Sequence, residues 1–241
     1  MYYGYGYGLT GLYWDWTYLL IIIGAIICLA ASARVRTTFN KYSAYRSRCG
    51  MTGAQVAEQM LARAGITDVR VVHVSGSLSD HYDSRKKMVA LSDGVYNSAS
   101  VAAVGVATHE CGHAIQDANA YLPLSLRSAM VPVVNFGSSL SWPLIIIGLF
   151  MNQYTAGWWI LEIGIVLFSL VVLFQLVTLP VEFNASHRAL VHLEENRVLG
   201  DDELVYTRRV LKAAAMTYVA SALSAIGNLV RLMVLNRSEE R

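Results

Sequence analysis

The 241-residue sequence has few charged residues and few cysteines, and each shortage excludes a class of protein. Only 15% of the residues are Asp, Glu, Lys or Arg while 55% are apolar, a balance outside the range of soluble domains. The three cysteines, at positions 28, 49 and 111, form no CxxC pair and no disulfide framework, in agreement with a reducing compartment. No basic patch interleaved with aromatic residues is present, so nucleic acid is not an expected partner. The composition instead predicts a lipid bilayer as partner.

Three apolar runs are long enough to cross a bilayer as helices, since about 20 helical residues cover roughly 30 Å of hydrocarbon. The runs comprise residues 13–33, 131–151 and 157–181. Asp15 and Glu162 are the acidic exceptions, and both lie near the ends of their runs, where a carboxylate reaches headgroups and water. A fourth run, 213–235, contains Arg231, so it either spans the membrane or lies along its surface. We therefore expect three to four transmembrane helices.

Basic residues predict the orientation of these helices. They follow the first and third runs: Arg34, Arg36, Lys41, Arg46, Arg48, Arg188, Arg197, Arg208 and Arg209. No Lys or Arg precedes the first run, which indicates an uncleaved anchor rather than a signal peptide. The positive-inside rule then places the amino terminus outside and the segments after the first and third runs in the cytoplasm. Four tryptophans fall at the outer interface under this topology, as membrane anchors do: Trp14, Trp16, Trp158 and Trp159.

The predicted fold is a mainly α integral membrane protein with a cytosolic α+β unit. Its parts are an outside terminus with the first anchor (1–34), the cytosolic unit (35–130), a transmembrane hairpin (131–181) and a carboxyl-terminal helical region (182–241). Within the unit, Thr52 and Gln55 have capping-box spacing at the start of a short helix that stops at Gly65. Two β-branched segments, 69–74 and 86–92, are strand candidates separated by the turn-rich stretch 75–85.

The helical segment 98–120 contains the stretch "ATHECGHAIQ" and is predicted to begin at a cap on Asn97 or Ser98. On a helix His109 and His113 share one face, so each can place an imidazole nitrogen on a single metal. Glu110 lies about 100° around the helix and is positioned to take a proton from a metal-activated water. Cys111 is interpreted as small helix filler.

A catalytic zinc site needs a third protein ligand, and Glu182 is the candidate. It emerges at the cytosolic end of the third run, on the side where the two histidines are placed, just after Pro180, which is expected to break or kink the span. A carboxylate at the end of a span also reaches the headgroups without any metal. Because both histidines lie on the same side of the membrane, we favour the ligand interpretation.

The segments "VGVATHECGHAIQ", "GSLSDHYDSRKKMVALSDGVY" and "LPVEFNASHRAL", together with the apolar runs, closely resemble the bacterial membrane zinc metallopeptidases of the YugP type. The resemblance covers nearly the whole chain. It implies Zn²⁺ on His109, His113 and Glu182, with Glu110 as general base. More distantly, the pattern is similar to the gluzincin plan of HtpX-type proteases.

Those distant proteases carry an aspartate where this chain has Ser186, which leaves the partner of a ligating histidine open. Ser186 itself, Asp80 or Asp83 could fill that position. The strand candidate 86–92 either pairs with an extended substrate or is only structural. Candidates for stabilising the oxyanion are His81, His187 and Arg188, although Arg188 could instead anchor the span to headgroups.

The leading functional hypothesis is a membrane-embedded zinc endopeptidase acting on proteins or peptides, membrane proteins included, with its active site on the cytoplasmic side. Di-iron chemistry would need a second Glu-x-x-His, which the chain lacks. A membrane scaffold that binds zinc without turnover is the non-enzymatic alternative. Glu110 discriminates between the two, because a structural site has no use for it.

Overall fold

The computed structural model describes residues 16–151 and 154–239. The predictions for residues 1–15, Trp14 and Asp15 among them, lie outside the described residues. In chain order the elements are α1 (Tyr18–Ser43), α2 (Gly53–Arg63), β1 (Arg70–His73), β2 (His81–Asp83), β3 (Met88–Leu91), α3 (Asp93–Tyr96), α4 (Val101–Ala118), α5 (Leu122–Phe150), α6 (Thr155–Glu195) and α7 (Asp201–Glu239). The protein is mainly helical, as predicted.

Four helices, α1, α5, α6 and α7, are each long and apolar enough to cross a membrane. The sequence left residues 213–235 as a span or a surface helix, and α7 meets the requirements for a span. Helix α5 packs on α6, α6 on α7, and α7 on α1. Pro180 was predicted to break or kink the third span, and the break is wrong, since α6 continues to Glu195. A proline removes a single backbone donor, and packed neighbouring helices hold such a helix together.

Contacts between these helices identify one end of the bundle, which we call the tryptophan end. The Arg231 guanidinium of α7 lies 4.4 Å from the centre of the Tyr18 ring at the start of α1. The Asn236 amide donates to Glu162 near the start of α6 at 2.7 Å. The start of α1, the start of α6 and the end of α7 therefore lie together. The described tryptophans near this end are Trp16, Trp158 and Trp159.

The opposite end of the bundle carries α2, α4 and the small sheet. Here Arg209 of α7 donates to the Tyr42 hydroxyl at the end of α1, at 2.9 Å. Helix α4 packs against α2 on one side and against α6 and α7 on the other. Met60, Val89, Leu91, Ala103 and Ala107 belong to the buried core of this part. The small unit is thus built directly onto the membrane helices.

The sheet has the order β1-β3-β2, with β1 parallel and β2 antiparallel to β3. The predicted strands at 69–74 and 86–92 are confirmed as β1 and β3. The stretch 75–85, predicted as turns, contains β2. Because β3 is bordered by a strand on each side, it cannot pair with a substrate, and that alternative for residues 86–92 is wrong. The outer edge of β2 has no strand partner among the described residues.

Helix α4 begins later than the sequence predicted. Its cap is Ser100, whose hydroxyl accepts from the Ala103 amide at 3.1 Å, rather than Asn97 or Ser98. The backbone of Ser100 is extended and bridges to Arg46, so the helix cannot start before it. By contrast, the capping box of Thr52 and Gln55 on α2 is confirmed.

Candidate metal centre

The two histidines of α4 lie on one face of the helix, as their spacing predicts. Their ring centroids are 4.8 Å apart and the ring planes stand at 81°. His113 is buried and His109 is nearly so, with 13% of its side chain exposed. Two imidazoles held side by side in a largely dry environment are suited to a shared cation.

Glu182 of α6 completes the group. Its Oε2 lies 3.3 Å from Nε2 of His109 and 3.6 Å from Nε2 of His113. The potential ligand atoms of the three residues all lie within 4.8 Å of one another. Among the described residues no other set of three His, Cys, Asp or Glu side chains converges in this way. The chain therefore brings together the three ligand candidates chosen from the sequence.

A glycine permits this convergence. A Cβ placed on Gly112 of α4 would lie 2.6 Å from the carbonyl oxygen of Ala185 on α6 and 3.1 Å from its carbonyl carbon. Real Cβ atoms essentially never come so close to backbone atoms. The two helices thus touch backbone to backbone, one residue before His113 and three residues after Glu182. Only Gly at position 112 allows the spacing.

The Nδ1 atoms of both histidines have partners, which leaves both Nε2 atoms to face Glu182. Ser186 Oγ lies 3.1 Å from Nδ1 of His109, and Gln116 Oε1 lies 3.0 Å from Nδ1 of His113. Gln116 Oε1 only accepts, so Nδ1 of His113 carries the hydrogen and its Nε2 presents a lone pair. Such hydrogen bonds fix the orientation of a ligating imidazole. The donor set therefore fits a zinc ion.

Gln116 was not identified from the sequence. Its amide donates to the Val181 carbonyl at 2.8 Å and to Asn184 Oδ1 at 3.0 Å, so it also ties α4 to α6 next to Glu182. The signal was available, because Gln116 follows His113 by three residues and shares its helix face.

The partner of His109 was left open between Ser186, Asp80 and Asp83, and the structure gives this position to Ser186. Both carboxylate oxygens of Asp80 accept hydrogen bonds from Ser92 instead. Asp83 accepts from the backbone amides of the loop that follows β2. Ser186 lies four residues after Glu182, on the same face of α6.

Arg127 of α5 was also missed. Its Nη1 lies 3.6 Å from Oε1 of Glu182, the oxygen that does not face both histidines. Oε1 of Glu182 therefore faces the guanidinium of Arg127, whereas Oε2 faces the two imidazoles. No sequence pattern links positions 127 and 182, because the contact depends on how α5 packs beside α6.

Glu110 is buried and lines the same cavity as His109 and Glu182. Burial raises the pKa of its carboxyl above the usual value, while the nearby His109 and His113 oppose that shift. Within residues 16–151 and 154–239 it forms no hydrogen bond through its side chain. A carboxylate of raised basicity that is free of partners is suited to accept a proton.

The cavity beside the three ligand candidates has a volume of about 320 Å³. Its walls come from α1, α4, α7 and the loop before β2, so membrane helices form part of it. The wall is largely apolar, with Val35, Phe39, Leu78, Val106, Val210 and Leu211 among its residues. The polar groups of the centre are therefore reached through apolar surroundings.

The three oxyanion candidates do not line this cavity. His187 and Arg188 line a second cavity of about 370 Å³ with His192 and Glu195, and Arg188 donates to Asn184 at 2.8 Å. His81 contacts the carbonyl of Ser79 at 2.9 Å. Helical periodicity explains the positions of His187 and Arg188, because it turns them away from the face of α6 that holds Glu182 and Ser186.

Cys111 points away from the histidines, as predicted. Its thiol lies 3.5 Å from the Ala57 carbonyl of α2, and burial raises its pKa. A thiol that remains protonated is a poor metal ligand. The interpretation of Cys111 as helix filler is confirmed.

Comparison with known proteins gives two matches. The model of the family described as "Putative neutral zinc metallopeptidase" matches residues 17–237. The chain is also similar to a protein of Bacillus subtilis (strain 168) named "Putative membrane protease YugP", with 39% identity over 219 residues, which cover 90% of this chain and 96% of that protein. No solved structure gives a significant match. The family match includes all four candidate spans and the three ligand candidates.

Proposed function

The chain belongs to the neutral zinc metallopeptidase family, and we propose that it is a membrane-embedded zinc endopeptidase built on the gluzincin plan. In this proposal His109, His113 and Glu182 hold the zinc. Glu110 is the general base. The observation that carries the proposal is the convergence of two Nε2 atoms and one carboxylate oxygen beside a cavity that also contains Glu110.

The metal and the side chains contribute different parts of the proposed chemistry. A zinc ion held by His109, His113 and Glu182 would lower the pKa of a water molecule and polarise the scissile carbonyl. Glu110 accepts a proton from the attacking water and then donates it to the amine nitrogen that leaves as the peptide bond breaks. Ser186 and Gln116 hold the imidazoles in the orientation that directs Nε2 inward.

A scaffold that binds zinc without turnover is the alternative. A structural zinc site is usually closed by four protein ligands, whereas three converge among the residues that the structure describes. The buried, unpartnered carboxyl of Glu110 next to a cavity has no structural purpose. Both features support catalysis over a structural role.

The same geometry supports a proposed topology and a proposed class of substrate. The metal centre lies at the end of the bundle opposite the tryptophans, near the arginines that follow α1, and the positive-inside rule assigns that end to the cytoplasm. Because α1 and α7 form part of the cavity wall, segments at the membrane surface, membrane proteins included, are within reach. We place the substrate backbone along the open outer edge of β2.

The test combines zinc content with cleavage of unfolded casein by detergent-purified protein. Wild type is expected to carry about one zinc per chain and to cut casein, with cleavage lost on chelation and restored by Zn²⁺. Glu110→Gln should keep its zinc and lose at least about a hundredfold in kcat. Glu58→Gln on the exposed face of α2 is the control. Zinc without cleavage in wild type would favour the scaffold.

A further inference from the structure

Tyr218 of α7 lines the cavity of about 320 Å³ beside the three ligand candidates, as do His109, Glu110 and Glu182. It lines this cavity from α7, a membrane helix that no sequence motif marked, and so faces the same space as the ligand group. The surrounding stretch of α7, "KAAAMTYVA", consists mostly of small residues, and Ala214 and Ala215 line the cavity with it. A single large side chain with a polar tip thus projects between small neighbours.

Peptide hydrolysis places negative charge on the oxygen of the scissile carbonyl, and enzymes position hydrogen-bond donors for that charge. The chain needs such a donor, and the candidates His187 and Arg188 face the second cavity. Three other cavity residues besides Tyr218 carry donors on α1 and α7, and the first of them, Ser32, is exposed. Thr217 already donates to its own helix, at 2.6 Å from the Ala214 carbonyl, and Arg36 is exposed on α1.

We propose that Tyr218 donates its hydroxyl hydrogen to the carbonyl oxygen of the scissile bond as that oxygen becomes negative. The inference rests on the proposed peptidase function and adds the transition-state donor that the sequence did not identify. No bond within Tyr218 is made or broken.

The test is Tyr218→Phe, which removes the hydroxyl and keeps the ring. It should lower kcat on a casein-derived peptide by about 10² to 10³-fold and change KM little, because the bond forms only in the transition state. Zinc content and zinc affinity should match wild type. Binding of a phosphinic analogue of the same peptide, which resembles the tetrahedral intermediate, should weaken at least about tenfold.

Tyr206→Phe is the matched control, since it deletes a hydroxyl from the same helix where the ring stacks on Tyr42 at 5.1 Å. It should behave as wild type in all three measurements. Unchanged kcat in Tyr218→Phe overturns the inference, as does loss of zinc, which would make Tyr218 a positioning residue for Glu182. A loss of kcat confined to Arg36→Gln would assign the role to α1. A wild type that cleaves nothing would overturn the peptidase proposal and this role together.

Discussion

Glu162 and Glu182 lie near opposite ends of the apolar run of helix α6 and have different surroundings. Glu162 accepts one hydrogen bond, from Asn236 at 2.7 Å. Nearby, Arg231 Nε, Asn236 Oδ1 and Trp158 Nε1 have no hydrogen-bond partner among the described residues. Glu182 faces two imidazoles and the guanidinium of Arg127.

The comparison teaches that position in a span does not determine what a carboxylate does. Both residues satisfy the rule that acidic side chains stay near the ends of membrane helices. Only the centre around Glu182 combines buried ligand atoms, oriented imidazoles and a cavity. Substitutions at Glu182 can therefore be compared with control substitutions at Glu162 in the same helix.

The largest effect short of removing a ligand is expected from Gly112→Ala. The new methyl would meet the backbone of Ala185, which can move away only if α4 and α6 separate. We expect loss of most bound zinc and of casein cleavage, measured together. Gly164→Ala, whose Cβ would lie 2.8 Å from the Ile145 side chain nearer the tryptophan end, should lower thermal stability but keep the zinc. Full zinc in Gly112→Ala would contradict the account.

Ser186→Ala should have the next largest effect. Loss of the hydroxyl leaves Nδ1 of His109 without its partner at 3.1 Å, and such losses weaken metal binding about 10 to 100-fold. Competition with a chelator of known affinity gives the value. Ser169→Ala on the same helix, where the hydroxyl donates only to the Ile165 carbonyl, is the control and should leave zinc affinity unchanged.

Arg127→Met is expected to produce a smaller change. The pair is separated by 3.6 Å and 30% of the arginine side chain is exposed, so solvent screens it. Zinc affinity should fall by at most about fivefold, with a smaller difference at high salt. Arg208→Met, at an exposed position of α7, should show no change, and an equal loss in both variants would mean that the effect is nonspecific.

The smallest effect is predicted at the tryptophan end. Asn236→Ala removes the donor to Glu162, and hydrogen bonds between membrane helices contribute less than about 1 kcal/mol on average. Thermal unfolding in detergent should therefore shift slightly, while zinc content and kcat stay constant. A loss of zinc here would show that the two ends are coupled.

The sequence predicted the features that depend on helical periodicity and on the side of the membrane to which a segment is assigned. The spacing of His109 and His113 places them on one helix face wherever that helix packs, and the charge distribution placed Glu182 on the same side of the membrane. Strand β2 was missed, because its three residues stand among turn-forming ones and are ordered by pairing with β3.

Contacts across helices could not be predicted. Arg127 of α5 lies beside Glu182, and Tyr218 of α7 lines the same cavity, and one sequence does not reveal how those helices pack around α6. His187 and Arg188 were selected because they are close to Glu182 in the chain. On a helix, neighbours in sequence point to different sides, and the structure places them on the second cavity.

The most direct test of the central claim is the zinc content of Glu182→Ala compared with Glu162→Ala, both purified in detergent without added metal. The account predicts about one zinc per chain in wild type and in Glu162→Ala, and little in Glu182→Ala. Folding is checked by thermal unfolding of each variant. Zinc retained at the wild-type level by a folded Glu182→Ala would show that α6 does not supply the third ligand, and the proposed centre would be wrong.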